Sequence, residues 1–147
     1  MKIENKPKNQ FQIFLGGSTY SGKTTYLNTY FGIEFSNETT SSLGFEKRLI
    51  KEINKNKYYL WDTSRWCETF YGIIIRQIKN KADGVILMFD LSYRKDFDDL
   101  PSLLNLITEC DELKNLPVLL IGNKSDLDIK VDENEIKKFL DKNNFIE

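Results

Sequence analysis

The stretch Gly17-Ser18-Thr19-Tyr20-Ser21-Gly22-Lys23-Thr24 constrains this chain more than any other. It fits the spacing G-x-x-x-x-G-K-[S/T] in full and follows the apolar run Phe11 to Gly16. That run is short and ends in glycines, so it reads as a buried strand. Two glycines let the backbone between them curl until successive N–H groups face one point, at the start of the helix that Lys23 opens. Such an array at a helix N-terminus attracts anions. The lysine suits the β- and γ-phosphates of a nucleotide, and the Thr24 hydroxyl suits its Mg²⁺. Ser18, Thr19, Tyr20 and Ser21 form the loop that wraps the phosphates, and Thr25 continues it into the helix. The alternative, an ordinary glycine turn with an exposed lysine, leaves the strand-loop-helix context unexplained.

The rest of the chain alternates strand-like and helix-like patterns. Lys23 to Gly32 reads as a helix stopped by the glycine. Gly44 to Asn54 and Lys57 to Thr63 read as two strands joined by the polar turn Asn54-Lys55-Asn56-Lys57. Phe70, Ile74 and Ile78 recur at helical spacing, and Gly84 to Ser92 is the continuous apolar run that a strand buried on both faces requires. The next helix is expected to start at an Asp99 cap, with Pro101 in its first turn. Leu100, Leu103, Leu104 and Ile107 then form one apolar stripe. Pro117 to Gly122 is another strand, and Asp132 with Glu135 resembles a capping box ahead of Ile136, Phe139 and Leu140. The alternation predicts one α/β domain, residues 11–147, with a mostly parallel sheet behind a flexible arm, residues 1–10.

Composition narrows the function classes. The formal net charge is −1, so no polyanion is implied and nucleic acid is set aside as a partner. There is no histidine, which removes the commonest general base and the commonest metal ligand. Cys67 and Cys110 stand far apart and fit no zinc or redox spacing, as expected of reduced cytoplasmic thiols. The first ten residues carry no apolar signal region, and no apolar run approaches a membrane span. Lys2 occupies the position where myristoylation needs glycine, and the last residues hold no prenylation cysteine. The expectation is a cytoplasmic protein with no membrane anchor in this chain, peripheral to a membrane only within a complex.

A second motif selects the nucleotide. Asn123-Lys124-Ser125-Asp126 follows a predicted strand. A carboxylate at Asp126 can accept hydrogen bonds from both N1–H and the 2-amino group of guanine, whereas adenine offers neither donor on that edge. The Lys124 stem can lie along the base, and Asn123 can hold the loop or reach the base. Alone, the tetrapeptide is as often a polar turn. Behind a phosphate loop it predicts a guanine nucleotide, GTP or GDP. Asp62, also at a predicted strand end, could hold a water on Mg²⁺. Gly17, Asp62 and Asn123 thus all fall at C-terminal strand ends, the edge where open α/β sheets hold ligands.

With these motifs in place, the chain resembles the Ras-like small GTPases, and the Rab branch most, from Phe11 to about Phe145. Ser41 to Glu46 is similar to the Rab-type T-I-G-V-D-F segment, which implies Ser42 as the switch hydroxyl that contacts Mg²⁺ and the γ-phosphate. Leu60-Trp61-Asp62-Thr63 is similar to the Rab and Ran strand that ends at the switch aspartate. Phe35 stands where the family sets an aromatic ring against the guanine, or else simply anchors its loop. The resemblance implies a P-loop NTPase of small G-protein type with a doubly wound, mostly parallel sheet. It implies a metal held by Thr24, Ser42 and Asp62. It also implies effector and regulatory proteins that read Ser42 to Leu49 and the segment near Trp66, in vesicle traffic or signalling. The family continues into a sixth strand, an S-A-K loop behind the base and a last helix. Here Asn143 to Glu147 could only open that strand, so five strands are expected and the final strand and helix are missing.

One segment departs from the family. Where the family reads D-T-A-G-Q-E, this chain reads Asp62-Thr63-Ser64-Arg65-Trp66, with about one extra residue before Phe70. Arg65 replaces the glycine whose N–H meets the γ-phosphate and whose freedom lets the segment swing. Trp66 replaces the glutamine that orients the attacking water, and an indole has a donor but no acceptor. Tyr20 is bulky for a phosphate loop and would crowd an arginine supplied by an activating protein. Nucleotide binding is therefore expected to persist while hydrolysis is weak or absent. Two alternatives keep an active GTPase: Arg65 as an internal arginine finger, or Glu68 as the water-orienting group. A third is an interaction domain that has kept the fold without the nucleotide.

Overall fold

Alternation along the strands decides the architecture. In the computed structural model, which describes residues 9–34, 45–63, 75–76, 78–143 and 145, five strands form one sheet. They are β1 (Gln10–Gly17), β2 (Phe45–Ile53), β3 (Asn56–Thr63), β4 (Gly84–Asp90) and β5 (Val118–Asn123), in the order β2-β3-β1-β4-β5. β3, β1, β4 and β5 run parallel, and β2 alone is antiparallel, paired with β3. Successive side chains of a strand point to opposite faces. Phe14, Val85, Leu87 and Phe89 accordingly meet one core, and their neighbours Leu15 and Met88 meet the other.

Helices cover both faces. α1 (Lys23–Tyr30) lays Leu27 against Leu15, Leu60 and Met88. On the opposite face α2 (Arg94–Thr108) sets Phe97, Leu100, Leu103, Leu104 and Ile107 into the larger core, with Ile136 and Phe139 of α3 (Glu133–Asn143) at its margin. The doubly wound α/β fold with a mostly parallel, five-stranded sheet is therefore present among the described residues.

Local chemistry fixes the ends of these elements. α1 closes with the Gly32 N–H on the Thr29 carbonyl at 3.0 Å and the Ile33 N–H on the Asn28 carbonyl at 2.9 Å. That paired closure requires a left-handed residue, and Gly32 supplies it at φ 72°. The β2–β3 turn is tighter than the sequence suggests: it is the two residues Asn54 and Lys55, at φ 50° and 66°, the hand that matches strand twist. At α3 the capping box forms in both directions. Asp132 Oδ1 accepts the Asn134 N–H at 2.8 Å, and the Glu135 carboxylate accepts the Asp132 N–H at 3.3 Å.

α2 corrects the expected helix start. It begins at Arg94 rather than after Asp99, and Pro101 lies well inside it. Asp99 is not a cap but pairs with Lys95 one turn back, as Asp98 pairs with Arg94. A proline inside a helix costs about 3 kcal/mol, because the carbonyl four residues earlier loses its donor. Burial of five large apolar side chains of the same helix contributes about 1.5–3 kcal/mol each and outweighs that cost. The helix expected around Phe70 and Ile74 falls outside the described residues, except that Ile75, Arg76 and Ile78 are helical. Among the described residues no helix is long and apolar enough to cross a membrane.

A Cβ added to Gly32 would meet no atom within 4 Å, so its penalty comes from backbone strain alone. Gly32→Ala should therefore lower stability by about 1–2 kcal/mol in urea denaturation. A loss below about 0.3 kcal/mol would mean that the left-handed closure does not set the end of α1.

Candidate functional site

The four parallel strands end on one edge of the sheet, and the chemistry collects there. At the end of β1, Gly17 adopts φ 138° and pairs with Met88 of β4. A Cβ on Gly17 would stand 1.9 Å from the Met88 carbonyl oxygen, so close strand packing excludes any larger residue. Gly22, at φ 94°, is similarly confined: a Cβ there would meet Asn123 Nδ2 at 2.3 Å. Between them the Ser21 N–H closes a turn on the Ser18 carbonyl at 3.2 Å. Tyr20 sits at the tip in the left-handed region at φ 67°, with 71% of its surface exposed. An L residue held there costs about 1–2 kcal/mol, so this loop stores strain.

Lys23 is folded back into this loop. Its ammonium donates to the Gly17 carbonyl at 2.9 Å and the Ser18 carbonyl at 2.7 Å, and it is only 6% exposed. Burial pushes its pKa down to about 8, although the charges of Asp62 and Asp96 oppose the shift.

Asp62 stands beside Thr24. The Thr24 hydroxyl donates to Asp62 Oδ2 at 2.6 Å. The other carboxylate oxygen, Oδ1, is buried and has no hydrogen-bond partner among the described residues. Thr63 anchors the strand end by donating its hydroxyl to the Leu15 carbonyl at 2.6 Å. A buried acceptor without a donor costs about 1–3 kcal/mol, more when it is charged. Its position fits a hydrated cation. Mg²⁺ favours one or two carboxylates together with water and phosphate oxygens, and Thr24 with Asp62 supplies that donor set. Among the described residues no three His, Cys, Asp or Glu side chains come together to form a larger protein-only cage.

The base loop leans on the phosphate loop. Asn123 Nδ2 donates to the Ser21 carbonyl at 2.9 Å, so of its two expected uses the structure displays the first, holding the loop. Lys124, at φ 62°, extends its ammonium to Asp90 Oδ2 at 2.6 Å. Asp90 also accepts the Ser92 N–H at 2.8 Å and the Ser92 hydroxyl at 2.6 Å. Burial alone would raise the Asp90 carboxyl, but the hydrogen bonds from Lys124 and Ser92 outweigh it and hold its pKa low. Asp126 is exposed. Thr25, Tyr26, Thr29, Tyr30 and Asn123 line a cleft of about 370 Å³ alongside.

Among the described residues the structure thus brings Gly17 to Thr25, Asp62, Asn123 and Lys124 together at one edge. Phe35, Ser42, Arg65, Trp66 and Glu68 lie outside the described residues. Sequence reasoning missed Asp90 and Asp96, which both belong to this edge. Asp90 carries the signal that singles out Asp62, an acidic residue closing an apolar run. Asp96 carries no such signal, because its burial depends on where α2 begins.

A phosphate loop, a strand-end aspartate and an N-K-x-D loop on one edge of a doubly wound sheet define a nucleotide-binding domain of the small-GTPase class. The Ras family profile matches residues 12–147, and the chain belongs to that family. It is therefore a GTP-binding, small-GTPase-type domain. It is 30% identical over 129 residues to the Ras and EF-hand domain-containing protein homolog of Mus musculus, a match that covers 85% of this chain and 20% of that protein. It is 33% identical over 124 residues to EF-hand calcium-binding domain-containing protein 4B of Homo sapiens, covering 82% of this chain and 16% of that protein. The chain spans about a fifth or less of the length of these relatives.

The buried Lys23 makes stability depend on pH in the nucleotide-free protein. Below pH 8 both folded and unfolded chains hold the proton, and the folded state bears the full cost of the buried charge. Between about 8 and the ordinary value of 10.5 the unfolded chain binds more protons, so stability rises with pH. The parent should therefore gain stability relative to Lys23→Met as pH is raised through this window, measured by urea denaturation. A stability difference that stays flat from pH 7 to pH 10 would show that Lys23 is not buried as a charge.

Proposed function

We propose that this domain is a Mg²⁺-dependent guanine-nucleotide switch of Rab type that binds GTP and GDP and hydrolyses GTP weakly or not at all. The observation that carries the reading is the Thr24–Asp62 hydrogen bond with the second Asp62 oxygen buried and unpartnered beside the phosphate loop. In this reading the N–H groups from Gly17 to Thr25 surround the phosphates, and Lys23 moves from its loop carbonyls to the β- and γ-phosphates. Thr24, Ser42 and Asp62 serve the metal, which when bound offsets phosphate charge. Asn123 holds the base loop, Lys124 lies along the base, Asp126 reads the guanine edge and Phe35 stacks on it. Effector and regulatory proteins would read Ser42 to Leu49 and the segment near Trp66, in vesicle traffic or signalling.

Base selectivity tests the binding half of this reading. Isothermal titration with Mg²⁺ should show GDP and GTP bound and ATP excluded. Asp126→Asn should weaken guanine binding by about 2–5 kcal/mol, since a buried donor of the base loses its charged acceptor. The same variant should favour xanthine nucleotides, whose 2-oxo group takes a donor. Equal affinity of the parent for ATP and GTP would overturn the assignment.

The hydrolytic half rests on Arg65 and Trp66. Correct placement of the attacking water is most of what a protein contributes to this reaction. With an indole at that position, turnover should fall below the order of 10⁻⁴ s⁻¹ that is intrinsic to Ras itself. Restoring both positions, Arg65→Gly with Trp66→Gln, should raise phosphate release with little change in GDP affinity. A parent that turns over at the ordinary rate and loses it on Arg65→Ala would instead make the arginine catalytic.

A further inference from the structure

We propose that the cleft beside Trp61 is a second binding site, independent of the nucleotide, that takes an acidic segment of a partner protein. The cleft encloses about 510 Å³, the size of a ligand pocket. Gln10 and Gln12 of β1, Lys47 of β2, Trp61 of β3 and the Asn80-Lys81 pair ahead of β4 line it. It opens on the face of the sheet that carries the larger core, where the Trp61 ring stacks on Phe14 with centroids 5.3 Å apart. The indole N–H donates to Gln12 Oε1 at 2.8 Å, so packing and a hydrogen bond together fix the ring.

Two ammonium groups attend this ring. Lys47 Nζ lies 5.4 Å from the Trp61 centroid and 3.8 Å from that of Tyr59, and Lys81 Nζ lies 5.9 Å from Trp61. An aromatic face attracts a cation but leaves its charge uncompensated. Neither lysine has a carboxylate partner among the described residues, and none of the described residues lining the cleft is acidic. Carboxylates of neighbouring residues are engaged elsewhere: Glu46 pairs with Arg48 at 2.8 Å, and Asp83 accepts the Gln12 N–H at 2.7 Å. An anchored aromatic ring with a charged, solvated rim is the composition of a protein-binding patch. Its complement is an apolar side chain flanked by carboxylates. Two cations are too few for a polyanion, whose binding draws on a track of many phosphate contacts.

The cleft stands apart from the nucleotide edge. Gln12 precedes Gly17 in β1 by roughly 16 Å of strand. Trp61 adjoins Asp62 in sequence, but alternation sends the two side chains to opposite faces. Lys47 and Trp61 are register partners in the β2–β3 ladder, so the sheet itself sets the cleft. Lys47 also falls in the stretch assigned to effectors above, yet the cleft is complete without a bound phosphate.

Nuclear magnetic resonance titration of the labelled chain with the capped peptide EELFEE tests this, in nucleotide-free protein and again with GDP and Mg²⁺. The Trp61 indole signal, assigned with Trp61→Phe, should shift in both with a Kd below about 1 mM. The glutamine counterpart QQLFQQ should bind roughly tenfold more weakly. Lys47 and Lys81 are exposed, so their variants leave the fold alone. Lys47→Gln and Lys81→Gln should each weaken the acidic peptide roughly two- to fivefold, the scale of one exposed ion pair. Reversal of both charges, Lys47→Glu with Lys81→Glu, should move the preference to KKLFKK. An unmoved Trp61 signal would overturn the proposal, as would equal binding of QQLFQQ or a charge-reversed variant that keeps the acidic peptide. Binding confined to protein loaded with a GTP analogue would make the cleft part of the switch and overturn its independence. Displacement of the peptide by an oligonucleotide or by phosphatidylserine vesicles at equal charge would make it a polyanion site instead. A parent that binds no GDP defeats the nucleotide reading alone, because the titration of nucleotide-free protein still decides this one.

Discussion

The site depends on keeping a buried ammonium group in a loop that has no carboxylate of its own. Lys23 is satisfied by the Gly17 and Ser18 carbonyls, which are neutral, so the balancing negative field must come from elsewhere. It comes from Asp62 at the end of β3 and Asp96 at the start of α2. Those residues are distant in sequence and reach Lys23 only because β3 and β4 flank β1 in the sheet. Strand order is therefore an electrostatic requirement here as well as a packing solution. A protein interior that holds an ammonium group without such neighbours lowers its pKa further or excludes it.

The same strand order forces the backbone into close quarters. β1 meets β4 so tightly at Gly17 that a methyl group would overlap the Met88 carbonyl, and Gly22 meets the Asn123 side chain in the same way. Among the described residues, left-handed residues other than glycine lie at Tyr20 and Lys124 in the two loops of the site, and otherwise at Asn54 and Lys55 in a hairpin turn. In the hairpin that conformation is what the turn type demands. At Lys124 it accompanies the ion pair with Asp90, and at Tyr20 it falls at the tip of the phosphate loop; strain of this kind commonly collects at binding sites.

Much of this was legible in the sequence because it is periodic or local. Apolar runs ended by glycine or aspartate mark β1, β3, β4 and β5, and Asp132 with Glu135 marks the start of α3. The phosphate loop is legible for a related reason: its glycines are required by local backbone geometry. The start of α2 was not legible. Asp99 and Pro101 are strong local signals for a helix start, and they lose to the burial of Asp96 and Phe97 one turn earlier. The Asp90–Lys124 pair and the burial of Asp96 were hidden for a deeper reason. Nothing in a linear sequence says that a carboxylate in a surface-like run such as Arg94-Lys95-Asp96 will be buried against the end of β4.

These features explain how binding and hydrolysis can separate in one chain under the proposed reading. Nucleotide binding draws on backbone N–H groups, one lysine, one hydroxyl and carboxylates fixed at strand ends, and most of these are set by the fold itself. Their energies are electrostatic and tolerate small shifts, because charge-assisted hydrogen bonds act over a range of geometries. Hydrolysis instead asks one side chain to place one water in line with the γ-phosphate, an effect that a displacement of about 1 Å can reduce a hundredfold. In that reading the side chain comes from the segment after Thr63, the last residue of β3. Arg65 and Trp66 stand in that segment, whereas Gly17 to Thr25, Asp62, Asn123 and Lys124 stand at the sheet edge. A domain that keeps the rigid edge and changes the segment beyond it retains the energy of binding and loses the alignment that chemistry needs.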